Sequence, residues 1–504
     1  MSIELSDTGL EAEFKFGSET GGVIDELPFH ILALGDWSGN AEKRPLSARQ
    51  PIEIDRDNFD EVMERLGTKA VLDFDDGSTI ELDFKSLDDF HPDQIFRSVE
   101  MFDQLRTLRT KLNNAEKFNS AAYEARQLFG LKRQDVAPVP TLEAEEPADN
   151  LLDAILAKPE GGAAAPKRKL SGELGSLVSE LVRPHLVAVD EHQQSSLVSL
   201  VDTATSELMR KILHHRKFQA LEASWRGLFF LVRRVETSTE LKIWVLDASK
   251  DEIALDLKDA ESLSSTHLYK TLVYEAVEIE GAEPWSLILG DYSFAPVVDD
   301  VATLMRISKL AAAAGAPFVS HMRPEVLGVH SLFEHPDPKD WSSEELTNEA
   351  KLWAALRDQR ESNFLGMTIP RFIARLPYGS DWDPLETFSF EELDSGGTHD
   401  DYVWSNGCFA AAMLLAKSFA EYGWEMNGRL EQDISGLPLY FYKVDGQKTY
   451  KPCAEIPMTE VAVNKLVDAG FMPLVSYKDT DRIKLAMFQS ITDPPGKLLG
   501  RWNM

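Results

Sequence analysis

Leu32-Ala33-Leu34-Gly35-Asp36-Trp37-Ser38 is echoed 255 residues later by Leu287-Ile288-Leu289-Gly290-Asp291-Tyr292-Ser293. Each copy reads as an apolar, buried strand closed by Gly-Asp, an aromatic residue and a serine. Glycine supplies the backbone freedom of a sharp turn, aspartate can accept from turn amides, and the aromatic ring can cover the strand end. Strand-Gly-Asp turns are common enough that an isolated pair is as compatible with coincidence as with duplication. The residues downstream of each copy argue for duplication. The first leads through a polar segment into an acidic stretch with helical periodicity, and the second into Val297–Ala314, apolar at helical spacing. The expectation is two related strand-turn-helix units on one polypeptide.

Working outward, residues 1–27 read as a loosely ordered leader and residues 28–134 as a first folded region. After strand Phe29–Leu34 come Pro51-Ile52-Glu53-Ile54-Asp55, a helix over Phe59–Leu66, and strands Ala70–Phe74 and Thr79–Phe84. Asp75-Asp76-Gly77-Ser78 joins the last two with hairpin turn chemistry. A helix through Leu112 then carries Ile95, Val99, Phe102, Leu105, Leu108 and Leu112 on one stripe. Residues 135–184 have linker composition, with Pro138, Pro140 and Pro147 leading in and Pro159 to Pro166 leading out. Within them Leu151-Leu152-Asp153-Ala154-Ile155-Leu156-Ala157 forms a short amphipathic piece, which suits a recognition peptide or a capping helix equally.

Residues 185–504 form the long folded remainder. Val201–Val235 reads as mostly helical, Leu241–Leu246 and Ser286–Leu289 as strands, His267–Ala276 and Tyr402–Tyr422 as helices. Val461–Ala469 reads as helix, with Leu474–Tyr477 and Leu485–Ser490 extended. Interspersed helices and strands give a mixed α/β or α+β class.

The balance of 52 basic against 84 acidic residues, a net charge of −32, repels phosphate backbones and anionic lipid. Nucleic-acid and membrane binding are therefore not expected as main roles. No stretch of 18 apolar residues and no signal peptide is seen, so a cytoplasmic location is expected. Two cysteines, Cys408 and Cys453, cannot build a disulfide framework or a cysteine-based zinc site. His214-His215 on a helix would point about 100° apart and make a poor ligand pair. Neither a phosphate loop nor a G-x-S-x-G elbow occurs, and pairs such as Asp75-Asp76, Asp88-Asp89 and Glu391-Glu392 suit solvated turns and helix faces. No catalytic residue, cofactor or metal site is expected. The rival reading, an acidic hydrolase using a carboxylate pair, lacks a nucleophile, base and orienter at workable spacing.

Residues 185–425 carry Ile212-Leu213-His214-His215, Phe218-Gln219-Ala220-Leu221-Glu222, Trp225-Arg226-Gly227-Leu228, Gly290-Asp291-Tyr292, Ala316-Pro317-Phe318, Pro370-Arg371-Phe372, Arg375-Leu376-Pro377-Tyr378-Gly379 and Trp404-Ser405-Asn406. Together these phrases resemble the large subunit of the bacterial type VI secretion contractile sheath (the TssC/VipB, EvpB-like family). Pro28-Phe29, Leu34-Gly35-Asp36-Trp37-Ser38-Gly39, Asp55-Arg56-Asp57-Asn58-Phe59-Asp60 and Phe84-Lys85-Ser86-Leu87-Asp88-Asp89-Phe90-His91-Pro92-Asp93 resemble the small subunit (TssB/VipA). In that family the two are separate chains; here both lie on one.

The resemblance implies a structural component that assembles with other sheath subunits around an inner-tube protein on a baseplate, contracts, and is dismantled by a ClpV-type ATPase. Leu151, Leu152 and Ile155 resemble the helix that this ATPase recognises. Gly35, Asp36, Trp37, Gly290, Asp291 and Tyr292 are expected to build strand-turn packing, and Trp225 and Arg226 the helical core. The small-subunit match fades after Asn113, and Pro494-Pro495-Gly496 is unlike a sheet-pairing arm. Both points suit an alternative, a non-polymerising paralogue that caps, initiates or accompanies the sheath.

Overall fold

Seven consecutive buried residues, Phe29–Gly35, form strand β1, an interior strand of the largest sheet. In this computed structural model the described residues are 2–4, 11–13, 27–130, 194–341, 348–393, 397–444 and 447–503. They divide into two compact units. One comprises Met1–Leu72, Glu81–Ile95 and Ile212–Met504; the other comprises Asp73–Ile80 and Phe96–Lys211.

The first unit is mixed α/β, built on a 9-stranded sheet. Its other strands are β2 (Ile52–Ile54), β3 (Leu241–Asp247), β4 (Trp285–Phe294), β5 (Phe318–Met322), β6 (Leu365–Ile369), β7 (Asp433–Ile434), β8 (Met472–Ser476) and β9 (Ile483–Leu485). The order is β7-β9-β8-β6-β5-β4-β1-β3-β2. The run from β8 to β3 is parallel, while β2, β9 and β7 pair antiparallel at the margins. Parallel strands buried on both faces need no polar alternation, which explains the unbroken apolar run in β1.

Three helices matter most: α1 (Arg216–Arg234), α2 (Val298–Ala314) and α3 (Gly407–Tyr422). Leu32 and Leu34 join Val301, Leu304 and Ile307 of α2 in one core. On the opposite face Phe29 meets Phe419 of α3, ring centroids 4.8 Å apart. The Asn406 side chain accepts from Cys408 N at 2.9 Å to cap α3, so that helix starts five residues later than its apolar pattern suggested. The free thiols of Cys408 and Cys453 are buried, and burial pushes both up.

The second unit is helical, with Glu100–Leu112, Phe118–Phe129 and part of Gln194–Leu213. Phe102, Leu105, Leu108, Ala122, Ala125, Leu200, Val201 and Leu208 are buried there. Arg109 Nε meets Asp202 Oδ1 at 2.5 Å, and Gln194 Nε2 donates to Leu112 O at 2.6 Å. The helix expected to run unbroken to Leu112 is interrupted at Val99, whose ψ of 119° is extended.

Candidate functional site

The site expected from the sequence is a contact system, and β1 is its spine. Phe29 to Gly35 pair in parallel register with Leu241 to Asp247 on one side. On the other side Ile31, Leu32, Ala33 and Leu34 face Leu287, Ile288, Leu289 and Gly290 of β4. The two echoed phrases thus lie side by side. The large sheet includes two strands from the front of the chain, β1 and β2.

Gly35, Asp36 and Trp37 make the turn after β1. A β-carbon at Gly35 would lie 2.8 Å from the Trp37 ring, so the glycine lets the indole fold back beneath the strand. Trp37 is fully buried and packs edge-on to Trp225 of α1, centroids 5.6 Å apart at 64°. Trp225 Nε1 donates to Trp37 O at 2.9 Å, and Phe59 closes on the same indole at 5.5 Å. Asp36 is exposed and pairs with Lys43. Ser38 donates from N and Oγ to the Asp247 carboxylate, at 3.1 and 2.7 Å.

Gly290, Asp291 and Tyr292 behave differently from their echo. A turn was expected to close the strand at Gly-Asp, yet β4 runs through to Phe294 with its pairing to β5 interrupted between Leu289 and Ser293. Ser320 Oγ lies 2.7 Å from Gly290 O and 3.0 Å from Tyr292 O, and Asn406 Nδ2 donates to Tyr292 O at 2.9 Å. These side chains satisfy the carbonyls that lose ladder partners, so the strand can continue past the irregularity. Tyr292 OH donates to Ala248 O at 2.6 Å, and burial pushes its phenol up.

Further contacts, some from residues outside the quoted motifs such as Arg49, bind the same parts together. Arg49 grips Glu252 bidentately and donates from Nη1 to Asp247 O at 2.7 Å. Burial opposes the Glu252 charge, but Arg49 outweighs it and holds the carboxyl at about 2. Asp93 accepts from Glu386 N at 3.0 Å, from Thr387 N at 3.1 Å and from Thr387 Oγ1. Phe84 and Phe90 stack at 4.0 Å, and both meet Phe218 of α1.

Arg226, expected in the helical core, belongs to a buried ionic network. Its Nε donates to Glu222 Oε1 at 2.7 Å and its Nη2 to Tyr378 OH at 3.0 Å. Arg375 donates from Nε to Glu222 Oε1 at 2.7 Å, and from Nη1 and Nη2 to Glu392 at 2.7 and 2.8 Å. Burial penalises the Glu222 carboxylate, but Arg375 and Arg226 together hold it below its ordinary range. Glu392 is 1% exposed, which corrects the expectation that Glu391-Glu392 forms a solvated pair; two arginine donors make its burial tolerable. His214-His215 fall between helices rather than on one. His215 Nδ1 accepts from Lys217 N as the cap of α1, and His214 Nδ1 lies 3.2 Å from Asp401. Leu151, Leu152 and Ile155 lie outside the described residues. Among the described residues no three His, Cys, Asp or Glu side chains group to hold a metal, and no helix is long and apolar enough to cross a membrane.

Comparison with known proteins finds two family matches along the chain. Residues 195–492 match the family described as EvpB/VC_A0108, tail sheath N-terminal domain, and residues 13–129 match the family described as type VI secretion system, VipA, VC_A0107 or Hcp2. The type VI secretion system sheath protein TssC1 of Pseudomonas aeruginosa is 36% identical over 305 residues, covering 59% of this chain and 61% of that protein. Sheath protein TssB1 of the same organism is 28% identical over 134 residues, 25% of this chain and 78% of its own. The chain thus spans about three fifths of the length of TssC1. It belongs to the VipB tail sheath family of type VI secretion, with a VipA region fused ahead of the VipB region on one polypeptide.

Proposed function

We propose that the chain is a one-piece building block of a type VI contractile sheath: it assembles with other sheath subunits around an inner-tube protein and drives that tube by a change of packing. The observation that carries this reading is β1, a VipA-region strand seated between two VipB-region strands. A mechanical subunit must transmit load through its own seam, and a buried, hydrogen-bonded strand is suited to that. Residues 28–134 and 185–504 are then the two cognate halves, and residues 135–184 the tether that fixes their ratio. Work comes from two packings of one assembly rather than from catalysis. The setting is the cytoplasm, with a baseplate at one end and a ClpV-type ATPase engaging Leu151, Leu152 and Ile155.

A second reading, a cap or initiator that does not polymerise, draws on the last described residues. Arg501 Nε donates to Trp285 O at 3.1 Å and Trp502 is 5% exposed, so this segment is committed to its own body. Negative-stain electron microscopy of the purified full chain separates the two. Tubes are expected; discrete particles at every salt concentration support the second reading.

A further inference from the structure

A groove of about 500 Å³ lies between the end of helix Lys250–Asp259, the segment Ala260–Leu263 and the outer face of α2. Its floor is apolar, with Leu257, Leu263 and Met305. Its walls carry three cations, Lys258, Arg306 and Lys309, against one carboxylate, Glu261, and none of the three is within ion-pair distance of a carboxylate among the described residues. Several other basic groups of this acid-rich chain meet carboxylates, as Arg49, Arg109, Arg371 and Arg375 do. Gln359 also lines the groove, and its Oε1 is buried without a donor. A buried acceptor left unpaired is costly, so this oxygen favours an N–H once its side chain turns toward the groove.

We propose that this groove receives an acidic, partly apolar segment of a second copy of the chain. An extended peptide fits all three features: its backbone N–H satisfies Gln359 Oε1, its carboxylates face Lys258, Arg306 and Lys309, and an apolar side chain covers Met305 and Leu263. Charge complementarity selects the occupant. A chain of net charge −32 repels its own copies, and a basic groove is where an acidic surface is attracted instead. Such a contact joins unlike surfaces, so it propagates from copy to copy instead of closing a pair.

The inference rests on the sheath reading, and its test separates the two. Full-length wild type and the double variant Arg306→Glu/Lys309→Glu are compared by sedimentation and electron microscopy over a range of NaCl concentrations, with circular dichroism as the check on folding. Wild type is expected to pellet at low salt, and the folded variant to pellet at least tenfold less, with Arg306→Gln/Lys309→Gln between them. A wild type that never assembles overturns the sheath reading along with the contact. A wild type and charge-reversed variant that assemble alike overturn the contact alone. Should the variant misfold, a photo-crosslinking residue in place of Met305 reads the occupant directly. A crosslink to an acidic peptide of another copy supports the proposal, and its absence from assembled material overturns it. Saturable binding of inorganic pyrophosphate that leaves assembly unchanged also overturns it, because the groove would then serve a small anion.

Discussion

Asp291 carries an electrostatic cost that the structure leaves only partly offset. Burial raises its carboxyl to about 6 from the ordinary 3.8, although Ser224 and Asn406 bond to it and draw it back down. One oxygen, Oδ2, is buried without a partner. Between those two values the folded chain holds a proton that the unfolded chain has released. This group's contribution therefore makes stability fall as pH rises from about 4 to about 6, and the full cost stands at neutral pH. The neutral isostere Asp291→Asn removes that cost. The variant should be more stable than wild type by about 1–2 kcal/mol at pH 7.5, a shift of two units being worth about 3 kcal/mol before discounting for partial exposure. The gap should close near pH 4. Urea midpoints of both proteins at pH 4, 5.5 and 7.5 check it, and a gap that does not change with pH would assign the effect to packing. Glu222 and Arg375 show the opposite design, in which burial is compensated by mutual pairing. Their phrases could be quoted from the sequence, but their pairing could not, because 153 residues separate them.

At the scale of elements, α1 and α3 approach closely because residue 227 has no side chain. A β-carbon there would lie 2.5 Å from Phe409 Cε2. Gly227→Ala sets two effects against each other: a gain of about 1 kcal/mol in helix propensity and an overpacking cost of about 1–3 kcal/mol. Because the clash is with a fully buried ring, packing should win, with a net loss of up to about 2 kcal/mol in chemical denaturation. Phe409→Leu in the same chain should recover part of that loss, and additive effects of the two changes would show that they do not communicate. Elements such as helix Phe59–Leu66, strand Leu241–Asp247 and helix Glu460–Asp468 were legible because apolar spacing and turn residues act locally. The echoed phrase was legible as a strand and misleading as a turn. Gly-Asp ends β1, but in β4 Ser320 and Asn406 carry the chain past the same dipeptide, and both are remote in sequence. The helical stripe from Ile95 to Leu112 likewise spans a break at Val99 that periodicity does not register. Along Lys270–Glu278 the helix widens to π geometry, which an apolar stripe alone does not specify.

For the whole molecule, the place of β1 between β3 and β4 decides what happens if the chain is cut. Without β1 the sheet would present two parallel edges, Leu241–Asp247 and Trp285–Phe294, each apolar and each lacking its hydrogen-bond partners. Strand order of this kind is not written in local periodicity, because it joins residues more than 200 positions apart. Fusion raises the effective concentration of the two halves, typically to the millimolar range, but the seam itself should hold without the tether. A protease site inserted within residues 135–184 tests this on the folded protein. After complete cleavage the two pieces should still elute together from a sizing column at micromolar concentration and separate only in denaturant. Residues 185–504 expressed alone should aggregate, and co-expression of residues 1–134 should restore them to the soluble fraction. Cleaved halves that part freely in native buffer would show that the seam depends on the tether, and the chain would then fail as a load-bearing unit.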